Sequence, residues 1–286
     1  MDFSLLAGFD YTVIGDPVEH SVSPPMQNAA FVRRGMGSPY TKFRVPTENL
    51  PEFTAYAAKH LRGFNVTVPN KQAVIPFLDE ITEAARQAQS VNTVTVKDGR
   101  LHGDSTDGYG LETALLEAFK LKVPGARICF IGCGGAVQAA AYHFALAGAA
   151  KLCFINRTVA KAEELAAGLK RYRPSLDMGC CGNDDREMIA EFLRDAAVVI
   201  QGSSLGLRPD DPCPVDPSLL PDGICCYDTI YKNTLFLRAA RERGLQTADG
   251  RTMLLHQGAK AFEIWTGRQP DIEAMREALN QALSAK

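Results

Sequence analysis

The sequence predicts an α/β protein of two domains, and three observations carry that expectation. Residues 128–155 run strand, glycine turn, helix, strand, the opening of a parallel sheet. The residues ahead of them already alternate β-like and helix-like segments. The length, 286 residues, exceeds the ~100–200 usual for one domain. With 46 % hydrophobic and 22 % charged residues the chain can bury a core, and its formal net charge of −2 gives no reason to expect nucleic acid or an anionic membrane as partner.

In order, residues 11–15, 40–45 and 63–68 are short, apolar and β-prone. Between them, 25–35 and 47–61 have helical spacing and begin near Pro or Thr. Residues 90–102 read as a hairpin turning at Lys97-Asp98-Gly99, where Asp-Gly suits a tight turn. A helix over 109–120 leads through a Pro-Gly turn into the glycine-turn unit, which continues as alternating strands and helices to about 250, with later strands at 197–201 and 223–228. Residues 254–266 and 272–285 read as amphipathic helices, and 209–221 as a proline-rich loop.

The N-terminus carries no basic stretch ahead of a long apolar core, so no secretory signal is expected. The most apolar stretch, 136–150, is broken by Gln138 and His143 and is too short to span a bilayer. The eight cysteines form neither a CxxC nor a Cys/His zinc spacing. They read as small buried hydrophobes of a reducing cytoplasm, with no metal site.

Chemistry begins at Gly132-Cys133-Gly134-Gly135-Ala136. Glycines there permit a tight turn and let a pyrophosphate approach the backbone, and the N–H groups opening the next helix face that phosphate. The domain thus reads as a Rossmann-like dinucleotide site, with GxGGA in place of the commoner GxGxxG. A site preferring NAD usually ends its second strand with Asp or Glu for the ribose 2′-hydroxyl. Here that strand ends at Asn156-Arg157-Thr158, with Lys161 one turn on. Charge-assisted bonds from Arg157 and Lys161 to a 2′-phosphate, about 1.5–3 kcal/mol each, correspond to roughly ten- to a hundredfold preference for NADP.

Three polar clusters precede this domain. His20-Ser21-Val22-Ser23-Pro24 sets two hydroxyls ahead of a helix, which suits a small carboxylate; the alternative is Ser23 as a plain N-cap. In Asn65-Val66-Thr67-Val68-Pro69-Asn70-Lys71, strand alternation places Asn65 and Thr67 on one face, with Lys71 just beyond the strand. Gly103-Asp104-Ser105-Thr106-Asp107-Gly108 is a glycine-bounded loop at the domain boundary, where a ligand cleft is expected. Hydride transfer at an alcohol carbon needs a proton donor and acceptor, and a Lys71 beside Asp107 meets that need; a surface salt bridge is the alternative.

Taken together, GDPVEHSVSP, NVTVPNK, SVNTV, GDSTDG, GCGGA, NRTVAKAEEL, SSLGL, YDTIY and ADGRTMLLHQGAKAF resemble the shikimate dehydrogenase family along nearly the whole chain. The resemblance implies reduction of 3-dehydroshikimate to shikimate with NADP as cofactor. It implies Lys71 as acid/base with Asp107 as partner. Ser21 and Ser23, with Tyr231 nearby, are implied to hold the substrate carboxylate, and Thr67, Asn92, Asp107 and Gln257 the ring hydroxyls. Gly132, Cys133, Gly134, Gly135 and Ala136 would form the phosphate turn. Asn156, Arg157, Thr158 and Lys161 would clamp the 2′-phosphate, while Glu83, Thr229 and Gly250 would lie at the nicotinamide end. The family plan places a substrate domain at 1–107 plus 251–286, through return of the terminal helices, and the NADP domain at 108–250, in a monomer or homodimer.

Departures from the family pattern are Ser105 where Asn is usual, Gln27 where His is usual, Gln201-Gly202 in place of Asn-Ala, and no proline after Tyr231. Competing expectations are a relative acting on quinate or an aminoshikimate, possibly with NAD, and a non-catalytic sensor. Ser23 and Arg157 argue against the first, and the intact Lys71 and Asp107 against the second.

Overall fold

Residues 1–285 are described by a computed structural model and divide into two units, Met1–Gly110 joined by the segment from Leu255 onward, and Leu111–Leu254. In the first unit the order is β1 (Tyr11–Gly15), α1 (Ser23–Arg33), β2 (Tyr40–Arg44), α2 (Leu50–His60), β3 (Gly63–Val66), α3 (Asn70–Ala73), β4 (Glu80–Ile81), α4 (Glu83–Ala88), β5 (Thr93–Lys97) and β6 (Arg100–Asp104). Helix α5 (Asp107–Phe119) leads into the second unit: β7 (Arg127–Ile131), α6 (Gly135–Ala147), β8 (Lys151–Ile155), α7 (Val159–Tyr172), β9 (Asp177–Cys181), α8 (Arg186–Arg194), β10 (Val198–Gln201), β11 (Cys225–Asp228), α9 (Leu235–Glu242) and β12 (Thr247–Ala248). Helices α10 (Arg251–Thr266) and α11 (Ile272–Ser284) end the chain.

The first sheet has the order β2-β1-β3-β5-β6-β4. Its β1, β2 and β3 are mutually parallel, while β5 runs antiparallel to β3 and β6. The β5–β6 turn places Asp98 at φ 52° and Gly99 at φ 75°, the left-handed pair that a two-residue hairpin of primed type requires. Strand β3 stops at Val66, short of the predicted 68. Pro69 has no N–H for a ladder, although Thr67 still donates to the Ile14 carbonyl at 2.8 Å. Helices α10 and α11 belong to this unit: Phe262 packs on Phe31 and Trp265 on Tyr11, each with ring centroids 4.8 Å apart. The terminal helices thus return to the first sheet.

The second sheet is parallel throughout, in the order β12-β11-β10-β7-β8-β9. Apart from Arg127, Lys151 and Gln201 at their ends, its central strands are apolar because both faces are covered. Ile128, Phe130, Leu152, Phe154, Val198 and Ile200 enter one core, while Cys129, Ile131, Cys153, Ile155 and Val199 enter the other. The chain winds outward from β7 in one direction and resumes at β10 in the other. Between β7 and β10 lies the topological switch point, where open α/β sheets take their ligands at the carboxyl ends.

Candidate active site

In the first unit the site is built on Lys71, in a short helix that would not hold its position unaided. Asn70 anchors it: fully buried, its Nδ2 donates to the Val45 carbonyl at 2.7 Å and its Oδ1 accepts from the Thr47 hydroxyl at 2.8 Å. The Lys71 carbonyl is held by the Val91 N–H at 2.9 Å. Lys71 Nζ then stands 2.5 Å from Asp107 Oδ2, with side-chain exposures of 18 % and 5 %. A charge so little exposed needs a partner, and each of the two supplies the other's.

Asn92 orients the carboxylate from its other oxygen, donating from Nδ2 to Asp107 Oδ1 at 2.8 Å. Its own amide is fixed in turn, since Oδ1 accepts from the Thr106 N–H at 2.9 Å and from the Thr93 hydroxyl at 3.0 Å. Behind it, Asn65 donates to the Asn92 carbonyl at 3.0 Å, and the buried Tyr40 hydroxyl donates to Asn65 Oδ1 at 2.7 Å. Burial pushes the Tyr40 phenol well above its ordinary range, so it stays a donor. Gln257 of α10 closes the group, with Oε1 3.4 Å from Asn92 Nδ2. Lys71, Asn92, Asp107 and Gln257 are therefore brought together in one polar cluster.

Thr67 directs its methyl at β1: a Cβ on Gly15 would lie 2.5 Å from Thr67 Cγ2, so only glycine fits opposite. At the head of α1 the N-cap position is Val22, with no side-chain cap, and Ser23 is the first helical residue. The reading of Ser23 as N-cap is thereby overturned; the Ser21 hydroxyl instead accepts the Ser23 N–H at 3.2 Å. One turn on, Gln27 is fully buried and donates to the Gly258 carbonyl at 2.9 Å, tying α1 to the helix that carries Gln257. Glu83 opens α4 after the Thr82 cap, is exposed, and engages Gln87 at 2.9 Å and Arg86 at 3.5 Å.

The second unit supplies the turn after β7. Gly132 has φ 94°, and a Cβ there would stand 2.9 Å from the Ser203 nitrogen, so glycine is required twice over. Cys133 is buried, and burial pushes its thiol up to about 12, which removes it as a nucleophile. Gly134 is the N-cap of α6 without a side-chain cap, and beside Gly135 a Cβ would meet open space. The backbone there is bare enough for a pyrophosphate, so the turn fits such a group. Gln201, buried at the end of β10, folds the facing loop by accepting from the Ser203 N–H at 2.9 Å and donating to the Leu205 carbonyl at 2.7 Å.

After β8, Asn156 Nδ2 donates to the Thr158 carbonyl at 2.8 Å, while Arg157 and Lys161 are exposed. From 156 to 161 no carboxylate stands in the way of a 2′-phosphate. Thr229, next after β11, donates its N–H to the Gln201 carbonyl at 2.9 Å. Gly250 closes on it so tightly that a Cβ would sit 2.0 Å from the Thr229 oxygen. Tyr231 is exposed two residues further on.

All eight cysteines are free and lie between residues 129 and 226, in this unit. Burial raises Cys153, Cys181 and Cys226 to about 12. Among the described residues no group of His, Cys, Asp or Glu could hold a metal ion.

Sequence reasoning passed over Asn70, Tyr40 and Thr106, and treated Gln27 only as a departure. Nothing local marked them, since Asn70 and Thr106 stand among other polar residues and Tyr40 opens a strand as any aromatic residue could.

Comparison with known proteins accounts for both units. The family model for the shikimate dehydrogenase substrate binding domain matches residues 13–94, that for shikimate / quinate 5-dehydrogenase 114–180, and that for the shikimate 5′-dehydrogenase C-terminal domain 250–279. The NADP(+) shikimate dehydrogenase of Symbiobacterium thermophilum is 41 % identical over 279 residues, covering 96 % of this chain and 94 % of that one. Among solved structures, a shikimate dehydrogenase in complex with NADP+ superposes with a TM-score of 0.87 at 35 % identity, over 95 % of this chain and 94 % of that one. The Thermus thermophilus enzyme with NADP(H) and shikimate gives 0.85 at 32 %, over 96 % and 99 %. Since identity of this level extends over nearly the whole length of both chains, the chain belongs to the shikimate dehydrogenase family.

Proposed function

We propose that the protein is an NADP-dependent shikimate dehydrogenase, catalysing the reversible reduction of 3-dehydroshikimate to shikimate. The observation that carries this reading is the Lys71–Asp107 pair, a nearly buried ammonium 2.5 Å from a carboxylate that Asn92 holds in place. NADPH, held at the turn from Gly132 to Ala136 and by Arg157 and Lys161, would supply the hydride that the ring carbonyl carbon receives. The oxygen then needs a proton, which Lys71 donates from its ammonium and regains from solvent. In the oxidising direction neutral Lys71 accepts the same proton. Asp107 balances the lysine charge and aims it.

Ser21 and Ser23, with Tyr231, hold the substrate carboxylate; Thr67, Asn92, Asp107 and Gln257 bind the ring hydroxyls. Residues 1–107 with 251–286 act as substrate domain and 108–250 as cofactor domain. The bare turn from Gly132 to Ala136 takes the pyrophosphate, Asn156, Arg157, Thr158 and Lys161 the 2′-phosphate, and Glu83, Thr229 and Gly250 the nicotinamide end. Two exposed cations without a carboxylate beside them support NADP over NAD. Among the described residues no helix is long and apolar enough to cross a membrane. We place the enzyme in a reducing cytoplasm, as a monomer or homodimer; its unpaired cysteines support the compartment.

Initial rates of reduced-cofactor formation at 340 nm, with shikimate or quinate crossed against NADP+ or NAD+, test this. Turnover concentrated on shikimate with NADP+ is expected. A preference for quinate or NAD+ refutes the specificity, and silence in all four combinations refutes the activity.

A further inference from the structure

Asp228 ends β11 fully buried, opposite Gln201 of β10 in the sheet, and nothing in the proposed chemistry uses it. A carboxylate is costly to bury, so what it holds matters. Oδ1 accepts the Ile230 N–H at 2.9 Å, and Oδ2 accepts the Thr234 hydroxyl at 2.7 Å. Both partners are donors, and an ionised carboxylate is the side chain that offers two acceptors and no donor. The two bonds close the bend from Ile230 to Thr234, whose tip, Tyr231 to Asn233, is exposed. Thr229, just before the bend, is held from the other side by the Gln201 carbonyl and by Gly250, whose N–H donates to Ile230 at 3.3 Å.

We infer that Asp228 is a positioning residue: by stapling the Ile230–Thr234 bend it sets where Thr229 and Tyr231 stand for the reaction. The inference rests on the roles proposed above for those two residues, and it adds the group that fixes them. Ionised, Asp228 keeps the bend closed before any ligand arrives, so the ordering cost is not charged against binding.

The test leaves Asp228 in place and alters its partner. Thr234→Val removes the stapling hydroxyl at nearly constant shape, and Thr234→Ser restores it. Losing a hydrogen bond to a charged group corresponds to roughly a tenfold effect or more. Thr234→Val is expected to raise KM for both NADP+ and shikimate about tenfold while kcat stays within about threefold, and Thr234→Ser to stay within about twofold of wild type. Amide hydrogen exchange at Ile230 to Lys232 in the ligand-free protein is expected to quicken in the valine variant alone.

Thr234 also caps α9 through the Leu237 N–H at 3.4 Å. A role confined to that cap would lower the melting temperature and quicken exchange in α9 with both KM values unchanged, and that result overturns the inference. Should wild-type protein oxidise a different hydroxy acid, the substrate reading fails separately. The same KM split, measured on that substrate, then still decides the staple.

Discussion

Lys71 and Asp107 meet at 2.5 Å although 36 residues separate them, and Asn92 fixes the carboxylate from its far side at 2.8 Å. The ammonium is thus aimed before any ligand binds, as the proton-donor role proposed for it requires. Lys71→Ala is expected to lower kcat by roughly 10²–10⁴-fold, the usual loss of general acid–base catalysis, with KM for shikimate changed little. Near-wild-type turnover in steady-state assays removes Lys71 from the mechanism.

Arg157 is exposed, and the role proposed for it is cofactor choice, not folding. Arg157→Ala should raise KM for NADP+ roughly ten- to a hundredfold and leave KM for NAD+ within about threefold. An equal rise for both cofactors would assign Arg157 to the shared part of the dinucleotide.

What could be read from the chain and what could not divide along physical lines. Strands β7, β8 and β10 announce themselves because burial on both faces leaves an apolar run in each, 128–131, 152–155 and 198–200, and glycine punctuation marks the turn at Gly132. The hairpin is legible because Asp98-Gly99 has few conformations to choose from. Lys71 and Asp107 were each visible in a local motif, so pairing them needed only one inference. Gln27 and Gly258, by contrast, are 231 positions apart, and nothing local to either says that they touch. Asn70 and Asn65 are likewise explained only by distant partners, a carbonyl just after β2 and one just before β5. At Ser23 the capping preference was overridden because Ser21 supplies the acceptor first.

Two glycines three residues apart, Gly132 in the turn and Gly135 at the head of α6, should respond in opposite ways. At Gly132, φ is 94° and a Cβ would press on Ser203, so Gly132→Ala is expected to cost on the order of 1–3 kcal/mol and to lower the melting temperature. Gly135 opens α6 with no heavy atom within 4 Å of a Cβ. Gly135→Ala should therefore melt at or slightly above wild type, since alanine favours a helix, yet its methyl would stand where the pyrophosphate approaches. A KM for NADP+ raised about tenfold at unchanged stability is the expected signature. Unchanged KM would move the phosphate off this turn.

The pH dependence of stability should carry the mark of Asp228. Burial lifts its carboxyl from 3.8 to about 6, opposed by the bonds from Ile230 and Thr234 and aided by the charge of Asp249. The folded protein therefore binds this proton more tightly than the unfolded chain does. The group's favourable contribution is full below about pH 4, falls as pH rises, and is lost once pH passes about 6, with a span on the order of 2–3 kcal/mol. Asp228→Asn carries no such charge. Subtracting its unfolding free energy from that of wild type, by urea titration at several pH values, cancels the other ionisable groups. Wild type should gain on the variant as pH is lowered from 7 to 4.5. A difference that stays flat across that range would mean Asp228 ionises in the fold as readily as it does in water.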